Sequence, residues 1–249
     1  MLRFNILGSL EIIQNGRSIT PSPPKVRCVL ALLVVRANQI VHPDSLIAEL
    51  WGGTPPKSAM TTLQTYVYHL RRMFAEQGLC PGGEELLVTR APGYVLRMPK
   101  DALDSEVFEQ LAAEGQSHLE RGCAAQAAPL LREALAMWSG PVLSNVTRGT
   151  ALEGHTVLLE ERRIHTLQLR IQADLEMGRH REIVGELRSL TAAYPLDEWF
   201  SSRLITTLVH SGRRSEALNA YHRVRTQLRD ELGLDPSPDL ERTLHAALA

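Results

Sequence analysis

Residues 58–75, SAMTTLQTYVYHLRRMFA, fit one regular conformation well: a helix with two opposed faces. At ~100° per residue, Leu63, Val67, Leu70 and Phe74 fall on one side, and Thr61, Thr65, Tyr68 and Arg72 fall almost diametrically opposite. The apolar set must pack against a core. The opposite set contains no acid and offers hydroxyls, a phenol and a guanidinium, which bond to base edges or phosphates in a major groove. The same face also fits the solvated side of an ordinary core helix, so its meaning depends on its surroundings.

Those surroundings are ordered. Leu2–Ile13 read as two short strands, and Asn15-Gly16 gives the I′ turn that leads to a third around Arg17–Thr20. Pro21, Pro23 and Pro24 break the chain before a strongly apolar helix from about Lys25 to Arg36. A second helix begins near Pro43, with Asp44 and Ser45 in its first turn, and is expected to bury Leu46, Ile47, Leu50 and Trp51. It stops at Gly52-Gly53, and Gly52–Lys57, GGTPPK, is a shaped connector that continues neither helix. After the two-faced helix, Leu86–Thr89 and Tyr94–Arg97 flank a turn at Ala91-Pro92-Gly93, a β-hairpin with Arg90 at its bend. Sheet, three helices and hairpin, in that order, is the layout of a winged helix, whose third helix enters the major groove and whose wing sets a cation at the backbone or minor groove. Taken alone, Arg90 also fits a solvated turn.

The charge of −1 conceals a division near residue 98: ten Lys and Arg against six Asp and Glu before it, and 17 against 22 after it. A mildly basic front and a mildly acidic back suit a nucleic-acid module joined to a protein-contact module. From Leu103 onward strand signals vanish and Ala, Leu, Glu and Arg recur at helical spacing. Gly178-Arg179 returns as Gly212-Arg213, a 34-residue period that matches the tetratricopeptide repeat and aligns Glu182 with Glu216 and Leu187 with Tyr221. A segment of the same form surrounds Gly122, so at least three helical hairpins are expected, each stable only when stacked on its neighbours. Such an array serves partner docking or simply packing.

Chemistry-bearing motifs are missing. The sequence holds no GxxxxGK[ST], GxSxG, HExxH or paired CxxC, and its nine histidines are scattered, with His180 set between Arg179 and Arg181. No catalytic residue, metal site or cofactor is expected. Glu160-Glu161-Arg162-Arg163 reads as a solvated helix face with local ion pairs. Cys28, Cys80 and Cys123 are odd in number and far apart, as in a reduced cytoplasmic chain. The longest apolar run, Val29–Val35, is too short for a membrane span, and neither a signal peptide nor a receiver domain is expected.

The segments FNILGSLEI, PPKVRCVLALLVVRANQIVHPDSLIAELWG, PPKSAMTTLQTYVYHLRRMF and VTRAPGYVL resemble the OmpR-type winged helix of the Streptomyces antibiotic regulatory proteins. DSEVFEQL and YPLDEWFSSRLITTLVHSGRRSEALNAYHRVRTQLRDELGLDPSPDL are similar to the bacterial transcriptional activator domain that accompanies it. The resemblance spans essentially the whole chain and matches the small form of the family, without a nucleotide-binding domain. Arginine outnumbers lysine 24 to 3, as suits a high-GC actinobacterial source.

The resemblance implies an α+β winged helix-turn-helix domain over residues 1–98, followed by an all-α tetratricopeptide-like helical-repeat domain over 99–249. It implies a transcriptional activator of an antibiotic biosynthetic cluster that binds double-stranded DNA at promoter direct repeats near the −35 element. Protomers would sit side by side and recruit RNA polymerase, including its principal sigma factor. Carried over by position, Thr61, Thr65, Tyr68 and Arg72 are the groove-contact candidates, Lys57, Ser58, Gln64 and Arg71 lie at the margins or on phosphate, and Arg90 is the wing cation. Gly52, Gly53, Thr54, Pro55 and Pro56 correspond to the loop that faces polymerase, and Lys25 and Arg27 are weaker phosphate candidates. With Arg71 and Arg72 as the helix's only full cations, one protomer binds weakly, and tandem binding supplies affinity through effective concentration. The competing expectation is a scaffold or anti-activator without an operator of its own, whose helical array captures another protein.

Overall fold

Glycine and asparagine turn signals, proline breaks and helical periodicity produce the expected elements in the computed structural model, which describes residues 2–79, 85–99 and 101–248. Cys80 lies outside the described residues. The chain forms two compact units, one of residues 1–114 with 130–166 and the other of 115–129 with 167–249.

The first unit opens with a three-stranded antiparallel sheet, β1 (Leu2–Asn5), β2 (Glu11–Gln14) and β3 (Arg17–Ser18), in sequential order. Asn15 and Gly16 both take positive φ, as the two-residue β2–β3 turn requires. Helices α1 (Pro24–Val35), α2 (Pro43–Trp51) and α3 (Ala59–Glu76) follow, then the hairpin of β4 (Leu87–Arg90) and β5 (Gly93–Leu96). Pro24 and Pro43 each occupy a first helical turn, where the missing N–H costs nothing. Helix α1 is buried nearly all round, while α3 contributes Leu63, Val67, Leu70 and Phe74 to the same core.

Compactness groups residues differently from the charge break at residue 98. Residues 130–166 bring the rear of α5 (Ala124–Ala136) and the front of α6 (Thr150–Glu176) into the first unit, where Trp138, Val142, Leu143, Leu152 and Leu159 share the core of Phe4, Leu33 and Phe74. Backbone groups seal the junction: Ser139 N–H donates to Leu7 O at 2.8 Å and Ser144 N–H to Gly8 O at 3.1 Å. At the start of α4 (Asp104–Glu120), the Asp104 carboxylate accepts from Ile6 and Leu7 N–H, each at 2.9 Å.

In α2 the expected burial is only partly found. Leu46 is buried, but Ile47, Leu50 and Trp51 are half-buried, and the other fully enclosed residue of the helix is Glu49. Its carboxylate accepts from the N–H groups of Gly149, Ala151 and Leu152 and so caps α6 from another helix. Beside it the Cys28 thiol is pushed up to about 12, by burial first and the Glu49 charge second, which makes it an inert core group.

The second unit is helical. Helix α8 (Glu198–His210) packs between α7 (His180–Ala193) and α9 (Arg214–Leu232), and α10 (Pro238–Leu248) returns onto α8 and α9. Gly122, Gly178 and Gly212 all take φ near +75° at the ends of helices, and the N–H after each bonds back to His118, Asp174 and Leu208 O respectively. The stops at Gly178 and Gly212 are the physical content of the 34-residue period. Of its aligned pairs, Leu187 and Tyr221 are both buried, whereas Glu182 is exposed and Glu216 is half-buried and held by Arg213 and Arg188. Arg170 and Asp174 are enclosed as an ion pair, with Glu186 and Arg179 completing the network. In the first unit, the Glu160–Arg163 face carries one local pair of the kind expected, Arg163 with Glu160 at 3.7 Å, whereas Arg162 reaches Glu109 on α4. Among the described residues no helix is long and apolar enough to cross a membrane, and no cluster of three or more His, Cys, Asp or Glu is placed to hold a metal ion.

Candidate nucleic-acid interface

Helix α3 begins at Ala59 with Ser58 as its N-cap residue, although no side-chain bond closes the cap, and it runs one residue beyond the expected end. Its two faces separate fully: Leu63 and Leu70 are inaccessible, whereas Thr61, Gln64, Thr65, Tyr68 and Arg72 are exposed. Tyr68, which the sequence allowed either outside or beneath the wing, is 59% exposed. Thr65 Oγ1 donates to Thr61 O at 3.0 Å, so its hydroxyl hydrogen is committed to the helix and its lone pairs and methyl face outward.

The two arginines differ. Arg72 is exposed, and its Nε donates to the Glu76 carboxylate at 2.7 Å. That hydrogen bond, then the Glu76 charge and Tyr68, raise its pKa above the ordinary guanidinium value. The outward residues chosen from sequence hold no acid, but Glu76, one turn beyond Arg72, brings one to the edge of the face. Arg71 turns sideways: Nε donates to Leu87 O at 2.9 Å and Nη2 to Thr89 Oγ1 at 2.7 Å, both on β4.

The wing pairs Leu87 with Leu96, Thr89 with Tyr94, and Arg90 with Gly93, leaving a two-residue tip of Ala91 and Pro92. Arg90 is exposed at the end of β4. Gly93 is part of β5, and its need for glycine comes from close approach: a Cβ there would lie 2.1 Å from Val41 O. Tyr94 and Val41 exchange backbone bonds of 3.0 and 2.8 Å across that contact. Asn38, with φ of 62°, adds a reciprocal pair to the backbone of Met98 at 3.2 and 2.9 Å. The wing base is thereby fixed to the loop between α1 and α2.

Gly52–Lys57 are all exposed, and Gly52 leaves α2 at φ 61°. Lys25 lies with its ammonium 4.7 Å from the Trp51 ring centroid, near the start of this loop. Arg27, in contrast, is half-buried with an enclosed Nε. Sequence reasoning missed the bonds of Arg71 to β4 and the Glu76 pair; the i,i+4 spacing of Arg72 and Glu76 was the available signal for the latter.

Comparison with known proteins matches this geometry. Residues 17–96 fit the family described as transcriptional regulatory protein, C terminal, and residues 103–248 the bacterial transcriptional activator domain. Regulatory protein DnrI of Streptomyces peucetius is 38% identical over 99% of this chain and 92% of its own length. Regulatory protein AfsR of Streptomyces coelicolor is 37% identical over 96% of this chain, which spans 23% of that longer protein. The structure of Mycobacterium tuberculosis EmbR in complex with a low-affinity phosphopeptide superposes with a TM-score of 0.93 at 34% identity, covering 99% of this chain and 65% of that one. These are regulators, not enzymes. The chain belongs to the Streptomyces antibiotic regulatory protein family of transcriptional activators, with a winged helix followed by a bacterial transcriptional activator domain.

Proposed function

We propose that this activator acts in the cytoplasm by binding short direct repeats upstream of secondary-metabolite promoters, near or overlapping the −35 element. Residues 1–98 would supply the DNA contacts, and 99–249 partner contacts. Helix α3 enters the major groove, with Thr61, Thr65, Tyr68 and Arg72 toward the bases. Lys57, Ser58, Gln64 and Arg71 lie at its margins or on phosphate, and Arg90 reaches phosphate or the minor groove from the wing. The observation that carries the reading is the complete separation of α3 into an inaccessible apolar face and an exposed hydroxyl, amide, phenol and guanidinium face beside an exposed wing cation.

Two protomers side by side would supply the affinity that one lacks, since few cations face outward and Arg72 is shared with Glu76. The loop Gly52–Pro56, exposed and stiffened by Pro55 and Pro56, would meet RNA polymerase, including its principal sigma factor. The test is capture of fragments from the source genome by the purified full chain at moderate salt, followed by sequencing. Enrichment of promoter fragments with a repeat at one-turn spacing supports the reading, and Arg72→Ala should weaken that binding by roughly tenfold or more if its guanidinium meets a base. Retention of nothing by folded protein would return weight to a scaffold role.

A further inference from the structure

The two strands of the wing are supported unequally. Strand β5 has the backbone bridge to Val41, and Leu87 and Leu96 bury the hairpin base. Thr89 and Arg90 lie beyond that base, exposed, on the strand whose ladder partner is β5. A two-stranded ribbon without further support is soft, so a cation at its tip has no fixed distance from the neighbouring helix.

Arg71 supplies that support from α3. Its side chain lies at the flank between the buried and exposed faces, 32% accessible, with Glu85 3.9 Å from Nε. The bonds to Leu87 O and Thr89 Oγ1 engage two positions of β4 that are two residues apart, the second at the exposed end of the strand. This uses the planar fork of a guanidinium; an ammonium can carry the charge but cannot reproduce both bonds in one plane. Arg71 is thus committed to the wing and directed along it, unlike Arg72 beside it.

We propose that Arg71 is a positioning residue: it braces β4 against α3 and so sets the reach of Arg90 relative to the groove-facing side of the helix. This rests on the reading of α3 and the wing as the DNA-binding surface and assigns Arg71 a role different from a direct phosphate contact.

The experiment is a double-mutant cycle in the full chain, with a DNA fragment recovered by genomic capture titrated across a range of salt. Arg90→Ala should make the salt dependence shallower by ~0.9, the value of one phosphate contact. Arg71→Lys, which keeps the charge, should produce the same change and a similar loss of affinity, and the double variant should be no worse than either single one. Thr89→Val, which removes one of the two acceptors, should lose part of the affinity. In the free protein, amide exchange at Arg90 and Gly93 should accelerate in Arg71→Lys while the amides of α3 stay protected. Wild-type binding by Arg71→Lys, losses that multiply in the double variant, or unchanged exchange at the tip would each overturn the brace. Failure of the unmodified chain to bind any fragment would instead remove the DNA-binding reading, and the proposal with it.

Discussion

Replacing Glu49 tests whether the front of α6 belongs energetically to the winged-helix core. The carboxylate is 7% exposed and accepts from Gly149 N–H at 2.5 Å, Ala151 N–H at 2.9 Å and Leu152 N–H at 3.3 Å. These are orphan donors of a helix N-terminus, where the macrodipole also favours an anion. A hydrogen bond to a charged group contributes ~1.5–3 kcal/mol, and three sum to more than the net effect because the buried carboxylate gives up its hydration. Glu49→Ala leaves the donors without their acceptor and opens a space that water partly refills, so a loss of ~3–5 kcal/mol is expected, comparable to breaking a buried ion pair. Glu49→Gln keeps one acceptor oxygen but turns an amide N–H₂ toward the remaining donors, and should lose ~1–2 kcal/mol. Trp51 and Trp138 both lie in the first unit, so urea unfolding followed by fluorescence reads the change, and amide exchange at residues 149–152 localises it. A loss below ~1 kcal/mol in Glu49→Ala, or protected amides there, would refute the cap.

Gly93→Ala sets a methyl against Val41 O and should lower the urea stability of the first unit by ~1–3 kcal/mol while weakening DNA binding; an equally stable variant would show that β5 does not lie against Val41. The Asp104 carboxyl is raised to about 6, chiefly by burial, so the folded state holds its proton more tightly than the unfolded chain. Its contribution is therefore present below about pH 4 and lost as pH rises to about 6, at most ~3 kcal/mol. The stability difference between wild type and Asp104→Asn should shift by up to that amount across this window, and a flat difference would contradict the burial assigned to the carboxyl. Glu76→Gln should tighten DNA binding about threefold to tenfold at low salt, because it releases Arg72 and removes an anion from the edge of the reading face. Weaker binding by that variant would mean that Glu76 helps aim Arg72 at DNA.

Elements set by local chemistry could be read from the chain. Asn15-Gly16 specified its turn, Pro24 and Pro43 marked helix starts, and the period of α3 identified four of the five residues it encloses. The repeated glycine stops gave the helical hairpins because a positive φ after a helix is a property of the residue itself. The grouping of residues 130–166 with the winged helix was not legible. It depends on Trp138, Val142, Leu143, Leu152 and Leu159 entering the shared core and on main-chain bonds from Ser139, Leu143 and Ser144 to residues 6–8; apolar residues do not name their distant partners and backbone groups carry no sequence signal.

The same limit explains the interface. Periodicity placed Arg71 and Arg72 one step apart, 100° around the helix, with Arg72 on the outward face and Arg71 at its margin. It could not show that a carbonyl and a hydroxyl of β4 would lie within reach of one and not the other, since that follows from how the hairpin docks. Gly93 illustrates the reverse case: sequence marks it as a turn residue, while the structure requires it for the close passage of Val41 O beside β5. Glu49 belongs to the same class, a charge at a core phase of α2 whose partners are amides 100 or more residues away. In each case residue type reports the capacity to bond, and only the fold decides whether that capacity is spent inside the protein or left for a ligand. Of the two arginines near the C-terminal end of α3, Arg71 is spent on the wing and Arg72 on an exposed pair of the kind that DNA phosphate can exchange with little loss. That difference makes Arg72 the better candidate for recognition and Arg71 the better candidate for geometry.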